Sequence, residues 1–190
     1  MRKLLTVSSA LAVLCAVLPV SQVGAKDLPV CHGYGCTFSK PLPLTAADEE
    51  KLAAIMAPGA ASPEAERTAL ASAIAYLETR SVAVLGVRDF AKAALTGAGR
   101  AGQMDCIDES TNSTTFLRHL EAKNLLRHHS VEKPTSRGIM IDGRYPHWTA
   151  VLKAADGGKW AVDSWYEPGG GKPDVMPLGE WRKRGVGGQR

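Results

Sequence analysis

The chain begins with an unbroken apolar block. Leu4 to Val20 is mostly apolar and carries no charge. Arg2 and Lys3 precede it, and the small residues Val23-Gly24-Ala25 follow it. That order predicts a cleaved secretory signal over residues 1–25, with an uncleaved anchor as the alternative. No later run is apolar for long enough to span a bilayer, so no stable membrane insertion is expected after cleavage.

Beyond the block the apolar period changes three times. Residues 26–44 hold Pro29, Pro41, Pro43 and two cysteines, and read as an extended segment. Residues 45–101 contain 18 alanines and read as helical. Thr45 with Asp48 forms a capping box for a helix ending near Ala57. Ser62-Pro63-Glu64 starts a second helix, with Leu70, Ile74, Leu77 and Ser81 at helical spacing. Helix is predicted to resume over Asp89–Leu95 until Gly97 and Gly99 stop it. A third helix is predicted over Asp105–Leu126, with Phe116, Leu117, Leu120 and Asn124 on one side.

The last third alternates. Strands are predicted at Leu125–Val131, Arg137–Ile141, His147–Leu152 and Trp160–Trp165, with a short helical turn at Leu178–Arg182. Helices followed by an antiparallel sheet make an α+β fold, in which residues 45–190 form one domain.

Composition narrows the function. The 190 residues are 45% hydrophobic and 22% charged, as in ordinary globular chains. Without Arg2 and Lys3 the balance is 21 basic against 19 acidic side chains, so nothing points to nucleic acid as a partner. A short signal of this kind implies export, to a periplasm or the exterior.

Export makes the cysteines informative. Cys15 falls in the signal, leaving Cys31, Cys36 and Cys106. Cys31-His-Gly-Tyr-Gly-Cys36 is a tight loop with two glycines, which suits a disulfide in an oxidising compartment. A metal site from Cys31, His32 and Cys36 is the alternative, without an obvious fourth ligand. Oxidation of that pair leaves Cys106 as a lone thiol at a predicted helix start, where amides and the helix dipole favour a thiolate. The neighbouring Asp105, Asp108 and Glu109 oppose this by like charge.

Two later segments complete a constellation. In Pro146-His147-Trp148-Thr149, alternation puts His147, Thr149 and Val151 on one face. In Trp160-Ala161-Val162-Asp163-Ser164-Trp165, a hairpin with Gly157 in the left-handed position would pair His147 directly with Asp163. A carboxylate there would orient the imidazole, which would take the proton of Cys106.

This arrangement resembles the papain-like and bacterial transglutaminase-like cysteine peptidases over residues 102–181. Asp105-Cys106-Ile107-Asp108 is similar to the Asp-Cys-x-Asp of the latter, and Asp163-Ser164-Trp165 to the Asn-Ser-Trp of the former. The resemblance implies an amide-directed hydrolase or acyltransferase acting on a peptide, protein or cell-wall peptide. Cys106 would be its nucleophile, His147 its base and Asp163 the orienting acid, through a thioester and without a cofactor. Gln103 and Asn112 would help the Cys106 amide hold an oxyanion, and Trp148 and Trp165 would wall the site. This chain departs from the papain pattern: Gln103 lies only three residues before the cysteine, and no aromatic follows Cys106.

The same residues have plainer uses. Cys106 would serve as a buried thiol, His147 as a core histidine and Asp163 as a turn residue in a non-catalytic binding module of the same fold. His119, His128 and His129 raise a metal site, although adjacent histidines on a strand face opposite ways.

Overall fold

The computed structural model describes residues 27–92, 97–138 and 146–184. The signal predicted over residues 1–25 lies outside them.

The first segment is a paired hairpin rather than a simple extended tether. Strand β1 (Leu28–His32) pairs antiparallel with β2 (Phe38–Leu42), from Leu28 opposite Leu42 to His32 opposite Phe38. Alternation turns Leu28 and Val30 inward, where they join the main core. At the tip Gly33, Tyr34, Gly35 and Cys36 all have positive φ: 86°, 72°, 61° and 56°. For the two non-glycine residues this costs about 1–2 kcal/mol each.

Thr45 caps α1 (Ala46–Met56) as the sequence predicts, with the Asp48 carboxylate accepting from the Thr45 amide at 2.8 Å. A 3-10 turn at Ala57–Ala61 leads to Ser62, which caps α2 (Pro63–Leu85). That helix stops at Gly86, whose φ of 76° satisfies the left-handed C-terminal position.

Asp89 and Phe90 are not helical, contrary to the predicted continuation. Tertiary bonds replace the helical ones. The Asp89 carboxylate accepts from Met104 N at 2.8 Å, its carbonyl accepts from Gly169 N, and the Phe90 amide donates to Gln103 Oε1. Residues 93–96 of the predicted continuation lie outside the described residues.

Helix α3 (Cys106–Ala122) is capped by Asp105, in a capping box with Asp108. It ends four residues before the predicted Leu126. Asn124 has φ 57°, and bonds from Leu125 N to Leu120 O and from Asn124 N to Glu121 O close a Schellman motif.

The sheet contains β3 (His129–Val131), β4 (Thr135–Arg137), β5 (His147–Ala154), β6 (Lys159–Asp163) and β7 (Asp174–Pro177). All pairings are antiparallel, in the order β3-β5-β6-β7, with β4 on the first residues of β5. β3 is shorter than predicted because the amides of Arg127 and His128 turn to the buried Glu66 carboxylate. β4 begins at Thr135 rather than Arg137, and the predicted residues 139–141 lie outside the described ones. Helix α4 (Leu178–Lys183) follows β7.

The predicted register is corrected. Ala150 faces Val162 and Leu152 faces Trp160, which sets Thr149, not His147, opposite Asp163. The turn closes from Gly157 N to Ala154 O, and Ala154 N bonds Gly158 O, so the loop is 155–157 with Gly157 at φ 87°.

Both sheet faces are covered. Ala150, Leu152 and Val162 pack in the main core with Leu70, Ile74 and Leu77 of α2 and Phe116, Leu117 and Leu120 of α3. Val151 and Ala161 point the other way, to Leu178 and Trp181 of α4. Mixed helix and antiparallel sheet around these cores is an α+β architecture. Among the described residues no helix is long and apolar enough to cross a membrane.

Candidate active site

His147 is the first residue of β5 and shares its face with Val151, above α4. Its Nε2 lies 2.8 Å from Asp163 Oδ2, with both side chains buried. The contact is diagonal across the two strands, a geometry that long side chains reach. Among the described residues no hydrogen bond occupies Nδ1 of His147, the nitrogen that would meet a proton donor.

The pair is enclosed by rings. Trp165 lies 4.9 Å from the imidazole centroid, Trp181 5.7 Å and Tyr166 6.0 Å. The fully buried Trp181 donates Nε1–H to Asp163 Oδ2 at 2.7 Å, the oxygen that His147 also contacts. Arg137, opposite His147 in the ladder, stacks on Trp181 and bonds its carbonyl and the Tyr166 hydroxyl. Of this shell only Trp165 is legible as a site wall in the sequence. Arg137, Tyr166 and Trp181 carry no motif, and their order in the chain gives no sign that they converge.

Cys106 is half-buried at the first position of α3. Its sulfur is within reach of the backbone amide of Trp148, the residue next to His147. The helix N-terminus therefore comes to the end of the sheet where β5 begins. Among the described residues no hydrogen bond joins Cys106 to His147. Burial pushes the thiol up to about 11, against the amides of Trp148 and Cys106 itself, with Asp105 and Asp163 adding to the rise. Desolvation thus outweighs the helix N-terminus, and Cys106 stands as a thiol at neutral pH.

Trp148 is exposed beside this thiol, with Ile107 exposed on the helix side. Trp165 packs against the imidazole. The two amide side chains proposed for an oxyanion are engaged elsewhere. Gln103 Nε2 donates to Arg88 O, and its Oε1 accepts from Phe90 N. Asn112 exchanges two bonds with the backbone of Cys31, at 2.7 and 2.9 Å, and so fastens β1 to α3. Among the described residues, the backbone amides of Cys106 and Trp148 lie near the sulfur.

Cys31 and Cys36 form a disulfide with Cα atoms 4.6 Å apart. Joined to each other, the sulfurs are not thiolate ligands for a metal, and His32 Nδ1 accepts from Gly102 N. His129 bonds Glu66 and His119 bonds Glu49, so these histidines do not converge either.

Behind α3 the sequence also concealed a cluster of acids. Glu78, Asp89 and Glu109 line a small cavity with Met104 and Asn112, away from Cys106. Burial raises Glu78 to about 7 and Asp89 to about 6, and holds Glu109 well above the carboxylate range. Asp89 and Glu109 bond each other, which requires a shared proton. No family model, curated protein or solved structure matches this chain.

Proposed function

We propose that the chain is an exported cysteine hydrolase or acyltransferase acting on an amide of a peptide, protein or cell-wall peptide. The observation that carries this reading is the 2.8 Å contact of His147 Nε2 with Asp163 Oδ2 at the strand end beside Cys106. A carboxylate on Nε2 holds its proton there and leaves Nδ1 as the base. Cys106 would lose its proton to His147 as sulfur attacks the carbonyl, because the thiol is protonated at rest. The resulting thioester would pass to water or an amine, and the amides of Cys106 and Trp148 would face the oxyanion. The resemblance of residues 102–181 to papain-like and transglutaminase-like peptidases supports the same chemistry. The disulfide and the signal-like start favour export to a periplasm or the exterior.

A non-catalytic binding module is the second reading, and the thiol raised to about 11 is the observation that favours it. Incubation with a peptide pool, with hydroxylamine present to trap thioesters, separates the two. Turnover predicts new termini and acyl hydroxamates with the natural chain and none with Cys106→Ala. Identical peptide profiles from both proteins would favour the module.

A further inference from the structure

The hairpin tip and the start of α3 are joined by several backbone-to-carboxylate hydrogen bonds. Tyr34 N donates to Asp108 Oδ2 at 2.7 Å, and Cys36 N to Asp108 Oδ1 at 2.6 Å. Gly35 N lies 3.2 Å from both carboxylate oxygens of Asp105. Three successive amides on a run of positive φ therefore point at two carboxylates, forming an anion-binding nest. These carboxylates stand on either side of Cys106, at the N-cap and the third helical position. The loop also holds the approach to the helix. Gly33 N donates to Gln103 O at 2.6 Å, Gly99 N to Gly33 O, and Gly102 N to His32 Nδ1. The Cys31–Cys36 bond closes this tip, and both Tyr34 and Cys36 resist the conformation that the nest requires.

We propose that the Cys31–Cys36 loop is a positioning element for Cys106, acting through Asp105 and Asp108, and that reduction by a dithiol releases it. The functional meaning rests on Cys106 being the nucleophile; the physical coupling does not. In the step itself the S–S bond breaks. The dithiol supplies two electrons and two protons, leaves as its own disulfide, and Cys31 and Cys36 become thiols. The tip is then free to leave its strained conformation and withdraw its amides. The charge on Asp105, no longer offset by Gly35, acts more strongly on the neighbouring sulfur. Reduction should therefore make Cys106 less reactive without removing a side chain from the site, and at pH 9 the freed thiols, ionised in part, add negative charge that acts in the same direction.

The test is iodoacetamide labelling of the full chain at pH 9, before and after dithiothreitol treatment and desalting under argon. The Cys106 peptide is read by mass spectrometry, so Cys31 and Cys36 do not confuse the rate. The expected result is labelling of Cys106 slowed by about threefold or more, equivalent to half a pH unit in its titration. Asp105→Asn keeps an N-cap side chain and should abolish most of that difference. An unchanged or faster rate after confirmed reduction overturns the proposal, as does an equal slowing in Asp105→Asn. Loss of helical circular dichroism on reduction also overturns it, because a positioning role requires a fold that outlasts the disulfide. Labelling needs no turnover, so an inert Cys106→Ala comparison in the peptide assay would defeat the catalytic reading and leave this coupling measurable.

Discussion

His147 meets Asp163 on the diagonal: their Nε2 and Oδ2 atoms are 2.8 Å apart, although Thr149 stands opposite Asp163 in the ladder. The carboxylate consequently binds one ring nitrogen and fixes which one holds the proton. Replacing Asp163 by Asn removes the charge and offers the ring an amide. On the proposed mechanism the wrong tautomer would leave Cys106 without a base, and turnover should fall by roughly 10³–10⁴-fold. Steady-state kinetics on a trapped substrate checks this, with binding of that substrate expected to survive.

Trp181 holds the same oxygen from α4, so Trp181→Phe tests orientation rather than chemistry. The substitution keeps a ring beneath His147 and deletes one hydrogen bond to a charged acceptor, worth about 1.5–3 kcal/mol. The expected outcome is a stability loss of that order with a lower kcat and little change in KM. Urea denaturation and initial rates measure both. Arg137→Lys should show the same pattern more weakly, because it loses the bond to Tyr166 and the stacking on Trp181.

Legibility in the sequence followed the range of the interactions. The capping box at Thr45 involves residues three apart, and α1 starts where it predicts; α3 starts one residue after the predicted Asp105, which caps it. The sequence suggests a 154–156 loop followed by Gly157; Gly157 is instead the last loop residue, and the ladder shifts by two residues. A two-residue error preserves the strand face, so the His147–Asp163 pairing survived as a diagonal contact. Asp89 read as helical because its local neighbours are good helix formers. Its real partners, Met104 and Gly169, lie 15 and 80 positions away in the chain, beyond any periodicity. Their positions near Cys106 suggest Gln103 and Asn112 for the oxyanion, yet both bond the backbone of neighbouring segments.

The thiol itself makes a prediction opposed to a preformed ion pair. Cys106 is lifted to about 11 by burial, and then by Asp105 and Asp163, against an ordinary cysteine near 8.5. Alkylation by iodoacetamide should thus be slow at neutral pH and rise only in strongly alkaline buffer. His147→Ala should change that resting profile little, while abolishing turnover. A reactive plateau at pH 5–6 that vanishes in His147→Ala would instead mean that the thiolate and imidazolium exist before substrate arrives.

The buried acids behind α3 set the stability profile. Glu78 rises from 4.5 to about 7, chiefly by burial, while Ser164 and Gly170 N act to lower it and Asp89 adds repulsion. Asp89 rises to about 6 by burial, despite the bonds from Met104 N and Glu109. In the unfolded chain both carboxyls ionise near pH 4, whereas the folded chain retains their protons for longer. The folded state therefore binds more protons between about pH 4 and 7, and stability falls as pH rises through that window. For Glu78 a shift from 4.5 to about 7 corresponds to about 3 kcal/mol. Above pH 7 its contribution levels off, since both states are then ionised. Glu78→Gln keeps the shape and removes the titration, so it should be more stable than the natural chain at pH 7 and flatten the decline. Urea midpoints measured from pH 4 to pH 8 on both proteins check this. A natural chain whose stability rises over that interval would mean that Glu78 is ionised in the fold, with a cationic partner in place of its proton.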